Sequence, residues 1–417
     1  MTSQRLLVIS HGHPAIKPGG GENAAYALHQ AVLALSQCRS IFLAAAPPSA
    51  IEAGCEVSRF DAKGDEWLMR QTDDWLHYQS ACSLNVSSDK WQWLRDFNPA
   101  VISLHQIMHV GLDFLFKLRA LFPDAMFIYT LHEFLLMCPF NGQLKTSDGL
   151  YCPGPTPAGC ASCLPFQSVR ELRIRELRVQ AFIDTVDQFV SPSATVRDQF
   201  LGWGGAPLDI QVIPNVLPST ISDLDDGLDA SSLNHVFAFF GNCSAAKGVD
   251  LILEAMLGLV RIQPRARLII HGPLEAVLQA TDDADPYVVG VKQLLKQLGD
   301  AVIMAGPYQQ HELPQLMSRI GWVVMASRWL ENAPVVIQEA MACRRPLLVP
   351  AMGGMAEHVR NGLDGFQFAP ESAGSLTSMM ALACRDPDVW ANLRATMAPP
   401  LSPKDALEKH LNLFGWS

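Results

Sequence analysis

Residues 323–350 read VVMASRWLENAPVVIQEAMACRRPLLVP, and the reading of this stretch decides the fold. Val323 to Met325 and Pro346 to Val349 are apolar runs of strand type, with a loop and a helical pattern between them. Asn332 is a good N-cap residue, and Pro334 suits a first helical turn, where a missing N–H costs nothing. A helix starting there directs free amides at whatever lies above the strand ends, a geometry that suits an anion such as a phosphate. Glu339 is the odd residue, because Val335, Val336, Ile337, Ala340 and Met341 make its helix apolar on most sides. A carboxylate in such surroundings needs hydrogen-bond donors. A backbone amide, an arginine or a pair of ligand hydroxyls would each serve.

Working outward, strands followed by helical patterns alternate along the whole chain, the signature of parallel sheets built from βα units. A chain of 417 residues fits two domains of about 200 residues each. Hydrophobic residues make up 49% and charged residues 17%, a composition for well-buried globular structure. The formal net charge of −10 argues against nucleic acid as a partner. No apolar run is long enough to span a bilayer, and residues 1–14, MTSQRLLVISHGHP, lack a signal-peptide pattern. Ten cysteines in 417 residues do not form a secreted disulfide scaffold. These features lead us to expect a soluble, cytoplasmic protein.

Toward the N-terminus, Leu6 to Ser10 is a strand, and Gly19, Gly20 and Gly21 form a glycine-rich loop before a helix opened by Glu22 or Asn23. The spacing is not that of a dinucleotide fingerprint, so phosphate binding and simple flexibility are both compatible. Ile102 to His105 and Met126 to Leu131 are further strands, ending in His105 and in His132-Glu133. Ligands of open α/β sheets bind beyond the carboxyl ends of strands, where both histidines stand; structural roles suit them equally. Cys138, Cys152, Cys160 and Cys163 follow in a loop with the spacing C-x13-C-x7-C-x2-C. That set is compatible with a structural zinc, and equally with free thiols or a redox-formed pair. Ser168 to Asp184 is a helix whose arginines alternate with Glu171 and Glu176, a solvated face. The polar stretch 214–232 reads as the interdomain linker. Beyond it, Val236 to Phe240 is a strand, followed by Gly241, Asn242 and Lys247 before the next helix, a setting for a diphosphate contact.

Several motifs in order, GGGEN (19–23), HE (132–133), IPN (213–215), KG (247–248), GPY (306–308), E-x7-E (331–339) and GGMAE (353–357), resemble the retaining glycosyltransferases of family 4. The resemblance covers nearly the whole chain. It implies the α/β GT-B fold: two Rossmann-like domains with parallel sheets facing across a cleft. The division would be an acceptor domain over 1–215, carrying the Cys-rich loop 138–163, and a nucleotide-sugar donor domain over 216–400. Residues 401–417 would form a helix packing back on the first domain. The resemblance makes Glu331, His132 and Lys247 the catalytic residues. It implies that Glu339 binds ribose, that Gly20 and Gly21 lie against the diphosphate, and that Pro307 and Tyr308 flank the base. Asn242, Asn332, Ala333, Pro334 and Val335 complete the donor contacts.

The implied activity is transfer of a hexosyl group from a UDP- or GDP-sugar to a hydroxyl acceptor with retention, in bacterial surface polysaccharide synthesis. The nucleotide sugar is then a co-substrate, no metal is required for catalysis, and the acceptor is lipid-linked or a saccharide, with peripheral contact at the inner membrane. A non-catalytic partner or scaffold protein on the same fold is the alternative, as is a nucleotide-sugar hydrolase or epimerase. Asn242 stands where the family usually carries arginine, a charge-assisted contact of roughly 1.5–3 kcal/mol. Arg344 stands where a glycine is usual after the helix, at a cost of roughly 1 kcal/mol if that position is left-handed.

Overall fold

The computed structural model describes residues 4–83, 88–203, 209–218, 233–280 and 284–416. Most of the stretch read as a linker therefore lies outside the described residues. The chain divides into two compact units, Met1–Pro218 with Leu401–Ser417, and Ser219–Pro400.

The first unit contains an eight-stranded sheet, ordered β3-β4-β2-β1-β5-β6-β7-β8. Its strands are β1 (Arg5–Ser10), β2 (Arg39–Ala46), β3 (Val57–Arg59), β4 (Glu66–Arg70), β5 (Val101–His105), β6 (Met126–Thr130), β7 (Gln188–Ser191) and β8 (Ile210–Val212). Every pairing is parallel except that of β3 with β4. Parallel strands covered on both faces need unbroken apolar sequence, and LLVIS in β1 and all five residues of β5 are buried accordingly. The strand order reverses between β1 and β5, where Ser10 lies level with His105. Such a switch point opens a crevice above the carboxyl ends of the two strands.

The helix after β1 spans Gly20–Leu35, with Gly19 at its cap. Gly20 and Gly21 thus belong to its first turn rather than to a preceding loop, and the helix opens two residues before Glu22. Ala27, Leu28 and Ala31 of this helix share one core with Ala406, Leu407, Phe414 and Trp416, so helix Pro403–Leu413 completes the first unit. Helix Val169–Ile183 starts with a full capping box between Ser168 and Glu171.

The second unit contains six parallel strands ordered β11-β10-β9-β12-β13-β14. They are β9 (Val236–Phe240), β10 (Arg267–His271), β11 (Val302–Met304), β12 (Trp322–Val324), β13 (Leu347–Pro350) and β14 (Gly365–Phe368). One face of the sheet is covered by helices Val249–Val260, Pro286–Leu298 and Ala373–Arg385. The other is covered by Leu313–Met317, Val335–Ala342 and Gly353–His358. Here the order reverses between β9 and β12.

The helix between β12 and β13 begins later than Asn332 predicts. It spans Val335–Ala342, with Pro334 at the cap and no side-chain cap bond. Pro334 fits because its ring pre-sets φ near the helical value, while Asn332 is buried and lies two residues further out. The helix ends in a Schellman motif: Arg345 N–H bonds to Ala340 O (2.8 Å) and Arg344 N–H to Met341 O (3.0 Å). Arg344 carries φ 49°, so an L side chain does occupy a left-handed site there. Gly353 and Gly354 of the GGMAE motif form the first residues of helix Gly353–His358.

Among the described residues no helix is long and apolar enough to cross a membrane. Among them also, no group of three or more His, Cys, Asp or Glu is arranged to hold a metal ion. Cys138, Cys152, Cys160 and Cys163, read as compatible with zinc and equally with free thiols, are free thiols that lie near one another, so that the other three act on the Cys160 thiol. Cys138 is buried and turns its S–H toward Phe140 O (3.4 Å), while Cys160 and Cys163 sit on the short helix Pro157–Cys163.

Ser168→Ala removes the capping acceptor from helix Val169–Ile183 and is expected to lower unfolding stability by about 1 kcal/mol, measured by urea titration.

Candidate functional site

Two loops of the second unit, after β9 and after β12, are fastened together at the switch point. Arg328 is the main bolt, forming a two-pronged ion pair with Asp250 (2.8 and 2.7 Å) and donating to Ala245 O (2.7 Å). Gly248 adopts φ 69°, and a Cβ there would collide with Ala326 O, so only glycine lets the two loops approach this closely.

These contacts bring Lys247 to Glu331. Lys247 Nζ donates to Glu331 Oε1 at 2.5 Å, and Ser327 Oγ donates to the same oxygen at 2.7 Å. Glu331 is 5% exposed, so its charge depends on these donors. The Lys247 ammonium also stands 5.6 Å from the centre of the Trp329 ring, while Trp329 Nε1 is buried without a hydrogen-bond partner. Beneath Glu331, Gly354 N–H bonds to its carbonyl (2.7 Å). A Cβ on Gly354 would overlap Asn332 O, so the helix start at Gly353 is wedged under the Glu331 loop.

Glu339 projects from helix Val335–Ala342 and is 3% exposed. Its Oε1 accepts from Gln310 Nε2 at 2.5 Å. Burial pushes its carboxyl up to about 7, and the Gln310 bond only partly offsets that. Beside it Phe240 stacks on His271 (ring centres 4.6 Å apart, 11° between planes) and meets Tyr308 edge-on at 5.5 Å. Burial and then the charge of Glu339 push the Tyr308 phenol upward. Asn242 and Pro307 are exposed, and Ala333 and Val335 are buried.

The first unit forms its own polar cluster above β1, β5 and β6. His11 Nε2 pairs with Glu22 Oε1 at 2.8 Å. Burial works to raise the Glu22 carboxyl, but its hydrogen bond and attraction to His11 hold it below the usual range. His105 Nδ1 and His132 Nε2 share a hydrogen bond of 2.8 Å, and His105 Nε2 meets Ser103 Oγ at 3.1 Å. Burial keeps both rings neutral, with His132 lowered to about 4. A Cβ on Gly21 would touch His11 Cε1 at 3.4 Å, whereas one on Gly20 would meet nothing. Burial pushes the neighbouring Glu133 up to about 8.

The structure thus brings together, within the second unit, Lys247 with Glu331 and Tyr308 with Glu339, and within the first, Gly21 with His132. Sequence reading missed Ser327, Gln310, Trp329 and the pairing of His11 with Glu22. His11, placed directly after β1, carries the same strand-end signal that singled out His105 and His132.

Residues 228–398 match the family model described as "Glycosyl transferases group 1". Curated relatives include a D-inositol 3-phosphate glycosyltransferase from Mycolicibacterium vanbaalenii, 27% identical over 259 residues, covering 58% of this chain and 53% of the relative. A lipopolysaccharide 1,2-N-acetylglucosaminetransferase from Salmonella typhimurium is 26% identical over 152 residues, covering 36% of this chain and 39% of the relative. The chain spans about half or less of the length of these curated relatives. Among solved structures, Anabaena HepE in complex with UDP and glucose aligns over 99% of both chains at TM-score 0.64 and 18% identity. Sucrose-phosphate synthase from Thermosynechococcus elongatus aligns over 99% of this chain and 98% of its own at TM-score 0.69 and 17% identity. These likenesses show the fold, two parallel-sheet α/β domains of the GT-B type.

The carboxyls of Glu133 (about 8) and Glu339 (about 7) are raised, so the folded state keeps protons that the unfolded chain releases. Their stabilising contribution is complete below the unfolded value near 4.5 and is lost as pH rises through about 7 to 8. The buried histidines act oppositely, losing stability as pH falls from about 6.5 toward 4. Above pH ~6.5 only the carboxyls act on this account, so the melting temperature is expected to fall between pH ~6.5 and ~8. Glu339→Gln should flatten part of that fall in a calorimetric pH series.

Proposed function

We propose that the chain is a retaining glycosyltransferase moving a hexosyl group from a UDP- or GDP-sugar to a hydroxyl acceptor in bacterial surface polysaccharide synthesis. The observation that carries this reading is the pairing of Lys247 with Glu331, together with the buried Glu339, inside the segment that matches the group 1 model. The names of the relatives support a sugar donor, and the UDP in the HepE complex supports the nucleotide.

On this reading Glu339 accepts hydrogen bonds from the ribose diol, and Phe240, His271 and Tyr308 provide the aromatic wall beside the base. Lys247 stabilises the charge that develops on the leaving diphosphate, a task suited to an ammonium held in a preorganised site. Backbone amides of residues 332–335, at the start of helix Val335–Ala342, add positive potential. Glu331 accepts from a hydroxyl of the transferred sugar, and Ser327 fixes its orientation. The first unit, in which His132 stays neutral, binds the acceptor. In the chemical step the bond from the anomeric carbon to the phosphate oxygen breaks. A bond to the acceptor oxygen forms on the same face, and the acceptor proton passes to the departing phosphate oxygen. No enzyme nucleophile takes part.

Replacing Lys247, Glu331 or Glu339 by Ala should each reduce transfer from the donor by about 100-fold or more while leaving circular dichroism unchanged. Donor binding by calorimetry, then nucleoside diphosphate release with and without an acceptor pool, provides the measurement. Full activity in all three variants overturns the assignment, and release that ignores the acceptor indicates a hydrolase.

A further inference from the structure

Glu339 is a buried carboxylate with an uneven set of partners. Oε1 holds Gln310 Nε2 at 2.5 Å, while among the described residues Oε2 has no hydrogen-bond partner. No other side chain donates to this carboxylate there, and no cation accompanies it. Glu339 is 3% exposed and Oε2 is not one of the buried orphan atoms, so this oxygen is the part of the side chain that reaches solvent, where a ligand's donors can meet it. Gln310 opens the 3-10 turn Gln310–Glu312 and is anchored from outside the site. The capping box between Gln309 and Glu312 fixes that turn, with Gln309 N–H bonded to Glu312 Oε2 at 2.6 Å. The carboxamide therefore approaches Glu339 from a braced backbone, while Glu339 itself is fixed by a helix packed on the sheet.

We propose that Gln310 is a positioning residue of the nucleotide pocket: it ties one oxygen of Glu339 and leaves the other to receive the ribose hydroxyls. The proposal rests on the ribose-binding role given to Glu339 above. Gln310 acts through Glu339. Its N–H holds the carboxylate in the ionised, acceptor form and sets the rotamer that points Oε2 at the ligand. Without that donor the burial of Glu339 is opposed by nothing from the protein. The carboxyl then keeps its proton to higher pH and offers a donor where the ribose needs an acceptor.

The test is calorimetric binding of UDP, GDP and the matching 2′-deoxynucleotide to the full chain across pH ~5.5 to ~8.5, for wild type, Gln310→Ala and Gln310→Lys. Wild-type affinity for the ribonucleotide should rise with pH as Glu339 ionises near 7. In Gln310→Ala the midpoint should move up by about one pH unit, the worth of one hydrogen bond to a charged group. Binding at neutral pH should weaken roughly fivefold, and the 2′-deoxynucleotide should be affected less. Gln310→Lys, which restores a donor and adds charge, should move the midpoint down, a shift in the opposite sense that loss of packing alone would not produce. A midpoint common to all three proteins, with the ribonucleotide still binding, overturns the role of Gln310 and leaves the nucleotide reading standing. Failure of both UDP and GDP to bind wild type overturns both.

Discussion

The second unit depends on the fastening of two loops across its switch point. β9 and β12 are neighbours in space but lie more than 80 residues apart in the chain, as the Lys247–Glu331 separation of 84 records. Their loops carry a lysine and a glutamate that gain little unless both are held still. The bidentate Arg328–Asp250 pair and the glycine at 248 supply that rigidity without using Lys247 or Glu331. The polar atoms nearest the proposed chemistry can therefore change partners while the framework keeps its shape. This separation of framework from working groups lets a buried glutamate with 5% exposure remain available to a ligand.

The two carboxylates of E-x7-E differ in how they are stabilised. Glu331 has a cation and a hydroxyl on one oxygen, whereas Glu339 has a single carboxamide. Burial pushes the Glu339 carboxyl up to about 7, because one neutral donor alone opposes it. Two acids on one short segment thus present different sets of hydrogen-bond partners to whatever binds beside them.

Much of this architecture was legible in the sequence, and the exceptions have identifiable causes. Val236 to Phe240 coincides with β9 and Ile102 to His105 lies within β5, because an apolar run bounded by polar or glycine residues leaves few alternatives to a buried strand. Helix starts were less legible. Gly20 and Gly21 read as loop residues, yet a first helical turn makes few demands on its residues, so glycine is tolerated there. Asn332 carries the better capping side chain, but it lies two residues outside the helix with its carbonyl packed against Gly354, and Pro334 takes the cap position. The partners of the acidic groups were the least legible. Gln310 meets Glu339 from 29 residues away, through a strand order that local periodicity does not encode. The four-cysteine loop shows the converse: spacing alone suggests a shared metal, and the loop does gather the thiols, but among the described residues no three such groups are arranged to hold one.

The return of helix Pro403–Leu413 to the first unit affects how the chain is made. Ala406, Leu407, Phe414 and Trp416 share a core with β1 and β2, yet they leave the ribosome after the whole of the second unit. During synthesis the second unit can close its six-stranded sheet from contiguous sequence, while the first waits with an apolar groove along helix Gly20–Leu35. The N-terminal half is therefore begun first and completed last, and while Ser219–Pro400 is being made its unfilled groove is the exposed surface a chaperone would meet.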